Sequence, residues 1–258
     1  METITKDIQS EETNKEQPSL MIEIDHLSKS FGSKVVLKDF NMTLNKGENL
    51  VILGKSGSGK SVLIKLLVRL LDIDEGTVKV LGQDVVQLDD SDLNKLRKKI
   101  GFLFQSAALY DSMSVRENLE FPMRVMKDLK AQDKEKLVKE ALENVGLEDA
   151  IDKKPSELSG GMRKRIGLAR TLILKPDIIL YDEPTTGLDP ITSKEISKLI
   201  LDMQKKYMTT SIIITHDMEC ARITSNRVIV IKDGSVLAEG TYAELAKSDD
   251  AFVHSFFE

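Results

Sequence analysis

Hydrophobic residues fall into short unbroken runs, separated by longer stretches in which they recur every three or four positions. Asn49-Leu50-Val51-Ile52-Leu53, Ile178-Ile179-Leu180-Tyr181, Ser211-Ile212-Ile213-Ile214-Thr215 and Arg227-Val228-Ile229-Val230-Ile231 read as strands covered on both faces. Helical patterns lie among them, at 59–71, 160–174 and 191–206. Strands alternating with helices predict an α/β fold with a mainly parallel core sheet. Segments 21–27 and 35–44, joined through Gly32, read as an antiparallel β subdomain. From about 106 to 165 the pattern is helical (Ser114–Val125, Ala131–Val145), which predicts an α-helical subdomain inserted into the core. Pro122 is expected to bend or end the first of these helices.

Composition narrows the picture. The chain has 258 residues, enough for a sizeable core, and 41% of them are hydrophobic, which predicts a globular protein. A net charge of −5, four Tyr, eight Phe and no Trp argue against a nucleic-acid partner. The single Cys220 leaves no internal disulfide and no multi-cysteine metal site, as suits a reducing compartment. No apolar run approaches the roughly 20 residues of a membrane span, and no signal-peptide pattern opens the chain. A soluble, cytosolic protein is therefore expected. Residues 1–19 are polar and rich in Glu and Asp, which predicts a flexible acidic tail before a domain over 20–258.

The sharpest motif is Gly54-Lys55-Ser56-Gly57-Ser58-Gly59-Lys60-Ser61, which fits G-x-x-x-x-G-K-[ST] at every fixed position. Its glycines let successive N–H groups turn inward around phosphate oxygens. Lys60 would reach the β- and γ-phosphates of ATP, and the Ser61 hydroxyl would meet Mg²⁺. The motif sits between a predicted strand and a predicted helix, whose positive end adds to anion binding. The strand at 178–181 runs into Asp182 and Glu183. Successive strand residues face opposite ways, so these carboxylates can take different tasks: Asp182 toward Mg²⁺, Glu183 toward an attacking water.

Leu158-Ser159-Gly160-Gly161-Met162 resembles the signature motif of ATP-binding-cassette (ABC) ATPases, and the resemblance runs from about 20 to 245. Phe31 takes the place of the aromatic that stacks on adenine. Gln105, after a strand at Ile100–Phe104, matches the Q-loop, which implies a catalytic and metal-binding role. Asp189, in Gly187-Leu188-Asp189, matches the D-loop, and His216 matches the switch histidine. The resemblance implies a P-loop NTPase of ABC type. It also implies a homodimer in which Ser159, Gly160 and Gly161 of one copy face the other copy's ATP. Met162 departs from the family, which mostly has Gln there, so a polar cross-dimer contact from this side chain is not expected.

With one nucleotide-binding unit, the chain resembles the separate ATPase subunit of an ABC transporter, peripheral on the inner face of the cell membrane and joined to transmembrane permease subunits. The stretches 104–115 and 159–165 look most like ATPases of MCE-type phospholipid transporters, the systems of lipid asymmetry and solvent tolerance. That implies an MCE-type lipid-binding protein and a small cytoplasmic accessory subunit among the partners. ATPases for other solutes, such as amino acids or lipoproteins, are the alternative; DNA- or ribosome-directed ABC ATPases usually carry a coiled-coil insertion or two cassettes, and neither is seen here. Arg97-Lys98-Lys99 and Arg163-Lys164-Arg165 read as solvated helix faces. Cys220 is expected to pack between its helix and the core. Phe252, Val253, Phe256 and Phe257 form an apolar stripe read as core packing.

Overall fold

The computed structural model describes residues 19–126 and 129–258. The acidic tail expected for 1–19 lies, apart from Ser19, outside the described residues.

Six strands form the central sheet in the order β10-β9-β3-β8-β7-β6. They are β3 (Asn49–Gly54), β6 (Ile100–Leu103), β7 (Ile178–Asp182), β8 (Thr210–Ile214), β9 (Arg227–Lys232) and β10 (Ser235–Gly240). All neighbours are parallel except β10, which runs antiparallel to β9. Successive residues of the central strands feed different cores. Leu50, Ile52, Leu180, Ile212 and Ile214 pack on one side of the sheet, and Val51, Leu53, Ile179, Tyr181 and Ile213 on the other. Both faces are thus sealed, which is why these strands are continuously apolar. Full burial of one such side chain is worth about 1.5–3 kcal/mol.

The first core also holds the second sheet, order β2-β1-β4-β5, antiparallel throughout. Its strands are β1 (Leu20–Phe31), β2 (Lys34–Asn45), β4 (Glu75–Val80) and β5 (Gln83–Asp84). Helix α1 (Lys60–Leu67) contributes Leu63, Ile64, Leu66 and Leu67 to the same core. Helices α6 (Pro190–Tyr207) and α7 (Met218–Thr224) cover the opposite face, where Cys220 is fully buried. A third core joins α3 (Val115–Glu120), α4 (Ala131–Val145) and α5 (Gly160–Leu172). The short α2 (Asp90–Arg97), α8 (Tyr242–Leu245) and α9 (Ala251–His254) complete the α-helices of the described residues. The architecture is the α/β fold with an antiparallel β subdomain and a helical region that the sequence predicts.

Two local expectations need correction, and a third, at Pro122, holds. The helix predicted over 59–71 stops at Leu67, because Arg69 turns left-handed (φ 48°) and Leu70 N–H closes back on Lys65 O at 2.8 Å. Arg97 is not on a solvated face: its guanidinium donates to Val68 O (3.0 Å) and Arg69 O (2.9 Å), capping the carbonyl end of α1. At Pro122 the α-helix ends at Glu120 and a 3₁₀ turn, Phe121–Val125, takes over.

Candidate functional site

The carboxyl ends of β3, β8, β7 and β6 lie side by side, and each launches a loop with a polar group at its start. An open parallel sheet places its ligands there. The phosphate loop follows β3 and leads into α1. Gly59, the N-cap of α1, has φ 100°, and a Cβ on it would lie 2.8 Å from both Leu37 Cδ2 and Val36 O. Only glycine fits both the torsion and the space.

Lys60 is 7% exposed, and its ammonium donates to Gly54 O at 2.6 Å and Lys55 O at 3.1 Å. Burial lowers its pKa, while the Glu183 and Asp182 charges pull the other way. The Ser61 hydroxyl donates to Asp182 Oδ1 at 3.1 Å. Burial raises the Asp182 pKa, opposed by the Ser61 bond; the Glu183 charge adds to the rise, and Lys65 and Lys60 oppose it.

Asp182 and Glu183 diverge, but not through strand alternation alone. Asp182 is the last residue of β7, and Glu183 lies beyond it with φ 52°, a left-handed turn that reverses the chain. Its N–H donates to Ile214 O at 2.9 Å. Its Oε2 accepts from His216 Nδ1 (2.8 Å), His216 N–H (3.3 Å) and Thr186 Oγ1 (3.2 Å). The pair is therefore split, one carboxylate bonded to the Ser61 hydroxyl and the other held by His216.

Phe31, Gly54, Lys60, Gln105, Glu183 and His216 all line one open cleft of about 740 Å³. Lys55, Ser56, Gly57, Gly59 and Ser61 line it too, and Ser58 Oγ is buried without a hydrogen-bond partner. Phe31 is 47% exposed, with the Lys29 ammonium 5.3 Å from its ring centre. Ser61, Asp182 and Gln105 together supply oxygen donors with a single charge, a set suited to Mg²⁺, which takes few protein ligands beside phosphate oxygens. Among the described residues no three His, Cys, Asp or Glu side chains are grouped to hold a metal by themselves.

Ser159, Gly160, Gly161 and Asp189 lie outside this cleft. Ser159 caps α5, its Oγ accepting from Met162 N–H at 3.2 Å. The Met162 side chain packs on the helical core. A Cβ on Gly161 would lie 2.6 Å from Thr192 Cγ2, so glycine lets the start of α5 sit against the start of α6. Thr192 in turn donates to Asp189, which caps α6 through Ile191 and Thr192 N–H groups. The Gly160 and Gly161 N–H groups, in the first turn of α5, have no partner within the helix.

Two residues of this region were misread or missed in the sequence. Lys164 is not solvated: it is 5% exposed, and burial pushes its ammonium down to about 8 against the pull of the Glu183 and Asp182 carboxylates. The signal was its spacing, three after Gly161 and four before Leu168, both buried. Phe256 of the carboxyl-terminal stripe lines the nucleotide cleft as well as packing on the core. Its neighbour Phe252 lies under the ammonium groups of Lys55 and Lys232, at 5.1 and 4.8 Å from the ring centre.

Comparison with known proteins bears on this geometry. Residues 37–186 match the family described as ABC transporter. The intermembrane phospholipid transport system ATP-binding protein MlaF of Haemophilus influenzae is 38% identical over 238 residues, 92% of this chain and 90% of that one. The probable ribonucleotide transport ATP-binding protein mkl of Mycobacterium tuberculosis is 39% identical over 235 residues, 91% of this chain. The chain spans 66% of the length of that relative. The methionine import ATP-binding protein MetN of Clostridium tetani is 39% identical over 225 residues, 87% of this chain and 70% of that one. Among solved structures, a dimeric ATP-binding cassette in a post-hydrolysis state with ADP and Pi superposes with a TM-score of 0.78 at 33% identity, covering 86% of this chain and 99% of that one. CbiO1 of Clostridium perfringens, part of the ABC transporter complex cbiONQ, gives 0.81 at 32%, covering 88% and 90%.

Proposed function

The chain belongs to the ABC transporter family, and from that premise we propose that it is the ATP-hydrolysing subunit of a multi-subunit transporter, working as a head-to-tail dimer on a membrane permease. The observation that carries the reading is the division of two adjacent carboxylates, Asp182 to Ser61 and Glu183 to His216, at the mouth of a cleft walled by the phosphate loop.

The N–H groups of Gly54–Ser61 and the Lys60 ammonium hold the triphosphate, and Phe31 offers its ring to the base. Ser61, Asp182 and Gln105 would hold Mg²⁺, whose charge offsets that of the β- and γ-phosphates when bound. Glu183 takes a proton from the water whose oxygen bonds to the γ-phosphorus, as the bond from that phosphorus to the β–γ bridging oxygen breaks. ADP and phosphate result. His216, hydrogen-bonded to Glu183, orients that carboxylate and reaches toward the γ-phosphate. Ser159 and the first N–H groups of α5 contact the γ-phosphate held by the partner copy, with Asp189 beside them at the shared face.

The cargo we assign to this transporter is phospholipid moved between membranes. An MCE-type lipid-binding protein and a small cytoplasmic subunit then complete the assembly, and this chain lies on the cytoplasmic face of the inner membrane. Support comes from the MCE-like stretches 104–115 and 159–165 and from similarity to the MlaF protein along nearly its whole length. No helix among the described residues is long and apolar enough to cross a membrane, so the permease is a separate chain in this reading. The test is purification through this chain in mild detergent, followed by phosphate release with Mg-ATP and mass spectrometry of bound lipid. A permease and phospholipid in the eluate support the reading. Methionine- or ribonucleotide-stimulated hydrolysis without lipid overturns the cargo, and ribosomal protein or DNA in place of a permease overturns transport.

A further inference from the structure

Lys164 is a buried cation that the chemistry above leaves unused. It lies in the second turn of α5, the helix that begins at the Ser159 cap. Buried lysines are rare, and each needs partners for its N–H groups. The Lys164 ammonium has two, and both are backbone carbonyls of site loops: Gln105 O at 2.5 Å and Glu183 O at 3.1 Å. One nitrogen thus joins the loop after β6, the loop after β7 and the helix behind Ser159.

The bond to Glu183 falls on a stretch of backbone in an uncommon conformation. Glu183 is not glycine, yet its φ is 52°, and such a conformation persists only where its surroundings over-determine it. Its N–H is fixed by Ile214 O, and its C=O accepts from Lys164 at 3.1 Å and from Thr186 N–H at 3.3 Å. With both ends pinned, the carboxylate is aimed at His216 and into the cleft. We propose that Lys164 is a positioning residue for ATP hydrolysis, holding the turned backbone of Glu183 in register with the Gln105 loop. The proposal rests on the reading of Glu183 as the general base. It gives the Gln105 loop a direct route to that base, because a shift of the loop acts on the same ammonium that fixes the Glu183 carbonyl. Lys164 is not among the residues that line the cleft, and its ammonium contacts only backbone, so its effect runs through Glu183.

The experiment is steady-state hydrolysis by the full chain with Mg-ATP for Lys164→Met, Lys164→Gln and Lys164→Arg, with Lys164→Met also combined with Glu183→Gln. A misplaced catalytic group costs up to about a hundredfold in rate. Lys164→Met is expected to lower kcat about tenfold or more, with KM for ATP within about twofold. Lys164→Arg, which keeps charged donors, should recover most of that loss, and Lys164→Gln, with a neutral donor, should fall between. In the Glu183→Gln background, followed by single turnover of labelled ATP, Lys164→Met should change the residual rate less than about twofold. Circular dichroism confirms folding, and Lys164→Gln carries the test if Lys164→Met does not fold. Wild-type kcat in both neutral variants, or a full tenfold loss repeated on top of a slow Glu183→Gln, overturns the role of Lys164. A Glu183→Gln protein that turns over at the wild-type rate instead overturns the base assignment, and is seen separately from the Lys164 variants.

Discussion

The cleft at the phosphate loop and the exposed start of α5 both meet phosphate in the account above, yet they are built on opposite plans. The first gathers groups from the ends of β3, β7 and β8: a buried lysine, a hydroxyl paired with a carboxylate, and a carboxylate paired with a histidine. The second offers one serine and the N–H groups of a helix turn, and the Ser159 oxygen is partly engaged in capping its own helix. The buried cation of that helix, Lys164, turns back toward the first site. A helix end of this kind can bind an anion but carries no group to activate water. The contrast teaches that the groups able to activate water lie in one half alone, and the proposed head-to-tail dimer brings the other half to them.

Removing the carboxylate at Glu183 should show that division most strongly. Glu183→Gln keeps shape and hydrogen bonding but cannot take a proton, and general-base loss costs about 10²–10⁴ in rate. The variant should still bind Mg-ATP and accumulate as a dimer in size-exclusion chromatography, because the second half-site is untouched. A variant that hydrolyses normally would take Glu183 out of the chemistry.

Asp182→Asn is expected to act on the metal side, with a smaller effect. ATP affinity should fall about tenfold with Mg²⁺ present and change little in EDTA, since a carboxylate that offsets the ion is gone. Isothermal titration with and without Mg²⁺ separates the two. Equal losses in both conditions would mean that Asp182 supports the loop rather than the metal.

The smallest effect on function is expected at the opposite end of the sheet, where Glu48 accepts from Arg227 Nε at 2.6 Å and Nη2 at 2.9 Å, and Arg227 also pairs with Glu239. Burial pushes the Glu48 carboxyl up, but the Arg227 and Asn45 bonds outweigh it and hold the pKa below the usual 4.5. A lowered carboxyl pKa gives stability that is present above 4.5 and lost as pH falls through the folded value. Glu48→Gln should cost about 2–3 kcal/mol at pH 7 by leaving the guanidinium poorly paired, with KM for ATP unchanged. The gap in Tm from the wild type should narrow as pH drops from 6 toward 4 and below. A constant gap would place the effect in packing instead of charge.

The first half-site was more legible in the sequence than the second, and for a physical reason. Phosphate binding needs glycines at fixed spacing and a lysine, all local in the chain, between a strand and a helix whose apolar runs are strong. The divergence of Asp182 and Glu183 was expected from alternation; the structure achieves it with a left-handed residue that no local pattern announces. Strand β4 has only Val78 and Val80 buried, and its existence depends on pairing with β1, as far away in the chain as Ile22 is from Val80. Lys164 and Arg97 sat in basic runs that suggested solvent. Their partners are carbonyls at loop and helix ends, and backbone groups leave no trace in sequence. The positions of Ser159 and Asp189, outside the cleft of their own chain, follow from tertiary packing of α5 on α6.

Complementation tests the pairing of unlike halves most directly. Lys60→Ala disables the phosphate loop, and Ser159→Arg places a bulky cation at the helix end that serves the partner. Each protein alone should be nearly inactive, Ser159→Arg while still binding ATP. In a head-to-tail dimer of the two, one site carries both defects and the other carries neither. An equimolar mixture, at concentrations where the wild type dimerises with Mg-ATP, should therefore recover about a quarter of wild-type phosphate release if the sites act independently. A mixture no more active than the sum of its parts, with mixed dimers shown to form, would contradict the account.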